Sequence, residues 1–258
     1  MQLDYFYQLK NQLNHHGLVM TPGLTYQNNK LEKIFSSIQR IDGNYFKKSD
    51  FDYLVSQNIM TPSIYLEKLM KEFAFVCGIS NENIIIFSQE KIKGDLIKLF
   101  FETEQSYDEM KFSLETIKKY YKWDFDFSQI PDINNPLYGL TIDIAKEEIV
   151  NFKIYLETES PHFFSPELLK FKEIYPYLVM YSYKKKSLPS IFEYWSYSKD
   201  LPISQRVQFT KDIFGIDIPF IDESYFEFKE FQYSRDDSKM NFYLFDNTDP
   251  ISRAKNDN

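Results

Sequence analysis

Leu137–Thr158, LYGLTIDIAKEEIVNFKIYLET, alternates Leu140, Ile142 and Ile144 with Thr141 and Asp143, then Phe152, Ile154 and Leu156 with Asn151, Lys153 and Tyr155. Successive strand residues point to opposite sides of a sheet, so this period of two predicts a β-hairpin with one apolar and one polar face. The apolar face needs a packing partner, and the polar face carries Asp143, Lys153 and Tyr155. A single such face is ordinarily a solvated one. Its repetition along the chain changes the reading.

Four more hairpins are predicted around it. KIFSSIQRI pairs with NYFKKSDFDYLV, between Leu31 and Val55, over an Asp42-Gly43 turn. NIIIFSQ pairs with DLIKLFFE over a turn at Glu90 to Gly94, and PYLVMYSY with PSIFEYWSY across the lysines Lys184 to Lys186. SYFEFKEFQY with KMNFYLF is the last. Helices punctuate the hairpins. Leu3, Phe6, Leu9 and Leu13 share a stripe in an opening helix over 2–15 that ends near Gly17. Thr61-Pro62 opens a second, continued by Leu66, Leu69, Met70, Phe73 and Val76 up to Gly78. Ser106 with Glu109 is a capping box, Ser165-Pro166-Glu167 starts a further helix, and Ser204 to Phe214 stops at Gly215.

Five hairpins supply ten antiparallel strands, and closing them on themselves removes exposed edges. The expected fold is therefore α+β, with Ile97, Leu99, Phe101, Phe226 and Phe228 meeting helices outside, and Lys98, Tyr225, Glu227 and Lys229 lining the interior. A parallel (β/α)₈ barrel has one strand per helix, which the strand pairs exclude. Only 7 glycines in 258 residues favour one domain over 1–248, with a polar tail at 249–258.

Composition excludes several functions. A net charge of −8 and a pI near 5.1 argue against a general nucleic-acid binder. The single Cys77 excludes an internal disulfide framework, and His15, His16 and His162 have no zinc-ligand spacing. Neither a phosphate-cradling glycine motif nor a GxSxG elbow occurs, and Asp124/Asp126 and Asp236/Asp237 do not form DDxxD. With no signal-peptide pattern and no apolar run of about 18 residues, a cytoplasmic protein away from membranes is expected.

In a closed barrel Lys98, Lys153 and Lys229 would converge, and three amines in one cavity call for a compensating anion such as a diphosphate. Tyr155, Tyr197 and Tyr243 would bring ring faces that shield a carbocation.

These repeated hairpin and helix units, with Lys-x-Tyr or Lys-x-Phe on second strands, resemble the ABBA prenyltransferases, whose ten-stranded antiparallel barrel is ringed by helices. GLTIDIAKEEIVNFKIYLETESPHFFSPEL, residues 139–168, resembles the cyanobactin-type peptide prenyltransferases, and the likeness extends over roughly Lys30 to Asp246. The resemblance implies transfer of a C5 isoprene unit from dimethylallyl diphosphate to a side chain of a peptide, often macrocyclic, with magnesium assisting. Lys98 and Lys153 match the diphosphate positions, and Tyr155 and Tyr243 the cation shield. The family's proton acceptor is a glutamate early in the barrel, where this chain offers Glu32, Ser36, Ser37 and Asp50 without a clear match. Asn241 stands where a basic residue is expected. Asp143, Glu227 and Glu32 remain as candidate carboxylates for the base. The alternatives are an inactive barrel that only binds peptide or isoprenoid, a small-molecule aromatic prenyltransferase, and a plain α+β interaction protein.

Overall fold

The computed structural model describes residues 4–60, 64–79, 84–90, 96–103, 105–124, 126–128, 130, 137–145, 148–184, 188–219, 226–235 and 238–246. The chain runs α1 (Asp4–His15), β1 (Leu18–Gln27), β2 (Lys30–Arg40), α2 (Lys48–Ser56), α3 (Ile64–Cys77), β3 (Ile84–Glu90), β4 (Leu96–Glu102), α4 (Tyr107–Tyr120), β5 (Leu137–Ala145) and β6 (Glu148–Glu157). A 3-10 turn at Pro161–Phe163 leads to α5 (Pro166–Leu169), β7 (Ile174–Lys184), β8 (Ser190–Tyr197), α6 (Ile203–Phe214), β9 (Phe226–Ser234) and β10 (Lys239–Asp246). The hydrogen-bonded order β1-β10-β9-β8-β7-β6-β5-β4-β3-β2 returns to its start, giving the expected closed barrel of ten strands in five hairpins. None of the helices among the described residues is long and apolar enough to cross a membrane.

The chain sorts into two compact units, residues 1–43, 159–178 and 192–258 forming the first and residues 44–158 with 179–191 the second. Strands β7 and β8 each begin in one unit and end in the other.

In the second unit the alternation of β4, β5 and β6 sorts as the pattern predicts. Ile97, Leu99, Phe101, Leu140, Ile142, Phe152 and Ile154 are buried, and Phe73 of α3 packs on Phe101 at 5.4 Å and Phe152 at 5.8 Å between ring centroids. The capping box of α4 is present. The Ser106 N–H donates to Glu109 at 2.8 Å, and the hydrogen bonds from Ser106 hold the Glu109 carboxyl below the usual carboxylate range. Gln105 and Ser113 both donate to the carbonyl of Cys77, at 2.8 and 3.0 Å, tying α4 to the end of α3. Burial pushes the Cys77 thiol far up, which makes it an inert core residue.

In the first unit β1 pairs with both β2 and β10. Phe228, Phe231 and Phe242 pack together on the face that α6 covers, with Phe214 of α6 5.4 Å from Phe231. Helix α6 ends at Gly215, whose φ of 67° is the left-handed conformation that glycine adopts without strain.

The first hairpin differs from the expected one. Asn28 and Asn29, with φ of 48° and 62°, make a two-residue turn between β1 and β2, while residues 44–55 form no strand and contribute α2 instead. The helix starts where the Lys47 N–H donates to the Asp50 carboxylate at 2.7 Å, and it buries Asp50 and Leu54 one turn apart. The Thr61-Pro62 opening, the turn at 91–94, lysines 185 and 186, Tyr225, the Asp236/Asp237 pair and the tail lie outside the described residues.

Candidate functional site

Strand register builds the second unit's site on the face away from the helices. One rung across neighbouring strands sets Ser88 beside Lys98, Lys98 beside Asp143, and Asp143 beside Asn151. The next sets Phe100, Thr141 and Lys153 side by side, and the third Glu102, Gly139 and Tyr155. Rungs on one face are two residues, about 7 Å, apart.

Lys153 leaves its own rung to reach Asp143, with Nζ 2.8 Å from both carboxylate oxygens. Asn151 Nδ2 donates to Asp143 Oδ2 and to Ser182 Oγ, each at 3.0 Å, and Ser182 Oγ donates back to Asn151 Oδ1 at 3.2 Å. Asp143 and Lys153 are 5% and 9% exposed, so this is a buried ion pair stabilised by further hydrogen bonds. Lys98 adds a second ammonium group on the neighbouring strand. Lys98, Lys153 and Asp143 together carry two formal positive charges and one negative, a set able to meet an anion. The second and third rungs bring one aromatic ring each, Phe100 and Tyr155, the third also carrying Glu102. The Phe100 ring lies 5.1 Å from Tyr155, edge to face, and over Gly139, where a Cβ would come within 2.3 Å of the Phe100 Cζ.

The first unit's corresponding face is aromatic and neutral-polar. Phe35, Tyr243, Tyr194 and Tyr177 form a row with successive centroid separations of 5.7, 6.1 and 6.2 Å. Gly23 makes room for Phe35, because a Cβ there would lie 2.1 Å from its Cζ. Beneath the row, Thr25 Oγ1 donates to Asn241 at 2.7 Å, Asn241 to Gln232, and Gln232 Nε2 to the Tyr194 hydroxyl at 3.0 Å. Asn241 is thus the centre of an amide network. Glu230, 8% exposed, accepts a 2.6 Å hydrogen bond from Tyr177.

Of the sequence-predicted residues, Lys98, Asp143, Lys153 and Tyr155 therefore share one face of the second unit, and Tyr243 belongs to the aromatic row of the first. Tyr197 requires a correction. It is on the helix-covered side of β8, packed against Phe228 and Phe231 and bonded through its hydroxyl to Thr210 of α6 at 2.6 Å. Desolvation there pushes its phenol far above the ordinary range. Tyr197→Phe is expected to lower stability by about 1 kcal/mol in urea unfolding and to leave turnover unchanged; a selective loss of turnover would return Tyr197 to the site.

Lys229 sits at the bulge that shifts the β9–β10 register, and its ammonium pairs with Glu227 at 2.9 Å. Glu227 also lies 3.7 Å from Arg206 of α6, beside a pocket of about 450 Å³ at the start of that helix. Arg206 donates to the carbonyls of Leu201 and Phe228 at 2.7 Å and is a structural clamp. Glu32 is the extra residue at the β1–β2 bulge and is exposed. The sequence reading did not single out Phe100, Thr141, Ser182, Tyr177, Tyr194 or Glu230. The parity of Lys98 and Asp143 carried the signal for Phe100 and Thr141.

The described residues offer no protein-only magnesium cage. No cluster of three His, Cys, Asp or Glu occurs among the described residues, and both Asp143 oxygens are already engaged by Lys153 and Asn151.

Ten antiparallel strands closed as hairpins, with helices against the apolar face, define the ABBA prenyltransferase barrel fold. Among solved structures the chain is similar to PriB in a binary complex with product diphosphate, at 9% identity over 91% of this chain and 81% of that one, TM-score 0.55. It is also similar to the NotF prenyltransferase, at 13% identity over 88% and 80%, TM-score 0.53, and to a 6-dimethylallyl tryptophan synthase, at 9% over 92% and 82%, TM-score 0.51. At these identities the likeness is one of fold. No protein-family model and no curated protein sequence matches the chain.

Proposed function

We propose that this protein is a prenyltransferase moving a C5 unit from dimethylallyl diphosphate to a nucleophilic side chain of a peptide, as in the cyanobactin-type enzymes. The observation that carries the proposal is the second unit's graded face. The rung of Lys98 and Asp143, which Lys153 reaches, stands about 7 Å from a rung holding Phe100, with Tyr155 beyond it. That gradient matches a ligand with an anionic head and a short unsaturated tail. Lys98 and Lys153 hold the diphosphate, and Phe100 and Tyr155 keep water from the allyl cation and stabilise it through their ring faces.

Asp143 is held by Lys153 and Asn151, Glu227 by Lys229 and Glu230 by Tyr177, and Glu32 is exposed, so none of these carboxylates stands out as the proton acceptor and the departing diphosphate takes that role. A second reading takes a small aromatic acceptor. The row from Phe35 to Tyr177 favours it, and NotF has been solved with brevianamide F and DMSPP, at 11% identity and TM-score 0.52. Incubating the protein with dimethylallyl diphosphate and separate pools of linear peptides, macrocyclic peptides, tryptophan and cyclic dipeptides tests both. A mass gain of one prenyl unit on a peptide supports the first reading and on a small acceptor the second. Donor binding without transfer would leave a binding barrel.

A further inference from the structure

We propose that the Thr141 hydroxyl is reserved for the donor's ester oxygen, the atom that takes up the electron pair when the allyl–oxygen bond breaks. This rests on the prenyl-transfer reading above. Thr141 is 4% exposed, and its Oγ1 is fully enclosed with no hydrogen-bond partner. Buried hydroxyls are nearly always paired, and valine would fill the same space in a strand without leaving a polar atom unsatisfied. A threonine here is thus a liability to the free protein, which a ligand would relieve.

Its position says which ligand atom. Thr141 shares a face with Asp143 and Gly139, and in register it stands between Phe100 on β4 and Lys153 on β6. On one side is the rung of Lys98 and Asp143, on the other that of Gly139 and Tyr155. An allylic diphosphate laid along this gradient has its polar-to-apolar boundary at the carbon–oxygen bond, so a donor at the boundary aims at the ester oxygen. Because Oγ1 is covered, the ligand reaches it only when a register neighbour turns aside. Lys153 has a flexible four-carbon arm, and a diphosphate competes with Asp143 for its ammonium.

In the step itself the carbon–oxygen bond breaks heterolytically and the pair goes to the ester oxygen, releasing diphosphate and the allyl cation. The acceptor's nucleophilic atom then bonds to that carbon, and its proton passes to a diphosphate oxygen. Charge grows on the ester oxygen only as the bond breaks. The hydroxyl's hydrogen bond therefore strengthens in the transition state and acts on kcat more than on donor affinity.

Thr141→Val and Thr141→Ser, compared with wild type, test this in three measurements: thermal unfolding without ligand, calorimetric binding of inorganic diphosphate, and kcat with dimethylallyl diphosphate. The valine variant is expected to melt at the wild-type temperature or up to about 4 °C higher. It is expected to bind diphosphate within about 2-fold of wild type and to lose about 10- to 100-fold in kcat, with most of the loss restored by serine. A valine variant with wild-type kcat, or one that melts several degrees lower, overturns the role of Thr141 alone, provided the wild type binds diphosphate and transfers prenyl. Absence of both activities in the wild type overturns the functional reading and this inference with it.

Discussion

Lys153→Ala is expected to stop prenyl transfer and, in the same molecule, to lower stability by about 3–5 kcal/mol. The second effect follows from the pair geometry rather than from function. Asp143 is 5% exposed and receives Nζ of Lys153 on both oxygens at 2.8 Å. Removing the lysine strands a buried carboxylate with the Asn151 amide as its remaining side-chain donor. Against a total stability of about 5–15 kcal/mol, that loss confounds any activity measurement. Pairing the change with Asp143→Asn removes both charges, and the double variant is expected to regain most of the lost stability while transfer stays at least about 100-fold down. Urea midpoints with turnover for the four proteins of the cycle check this. A double variant with wild-type turnover would remove Lys153 from diphosphate binding, and a fully stable Lys153→Ala would show that the pair is not held as described.

Glu193→Ala is expected to produce the largest purely structural loss, again about 3–5 kcal/mol, or roughly 6–20 °C in Tm. Glu193 is 0% exposed on the helix-covered side of β8. Its carboxylate accepts from the Ser165 N–H at 3.0 Å, the Ser165 hydroxyl at 2.7 Å and the Trp195 indole N–H at 3.0 Å, and pairs with Arg235. Arg235 also donates to the Phe163 carbonyl, so the group fastens the Pro161–Leu169 segment to the sheet. Truncation strands the Ser165 and Trp195 donors together, whereas Arg235 can rehydrate. Hydrogen exchange should show the loss first at 160–169. Unchanged protection in that segment would mean that it is held by Phe164 against Trp195, whose rings are 5.6 Å apart, and not by the carboxylate.

The Leu137–Thr158 hairpin was legible because Gly139–Asp143 and Asn151–Tyr155 keep strict parity between its two register shifts. Elsewhere bulges defeated that projection. Counting by twos along β9 turns Glu227 and Lys229 inward; Glu227, opposite Phe245, keeps that parity, but the register slips between Tyr243 and Leu244, so Lys229 becomes the extra residue and Glu230 and Gln232 share the inner face with Tyr243 and Asn241. The slip at Thr25 and Tyr26 does the same to Glu32. Tyr197 failed differently, since its parity with the buried Trp195 already marked it for the helix side. Strand β1 was hidden because Pro22-Gly23 reads as a breaker. The β10 pairing of β1 stops at Gly23, so Pro22 lies just past that ladder, and Gly23 is there to admit the ring of Phe35.

The pairing of β1 with β10 also sets a schedule for assembly. Thr25 and Asn241 are 216 positions apart and meet through a 2.7 Å hydrogen bond, so the seam can be sewn only after the last hairpin has emerged from the ribosome. Until then β1 has an uncovered margin, and such long-range closure makes folding slow and leaves the nascent chain open to mispairing.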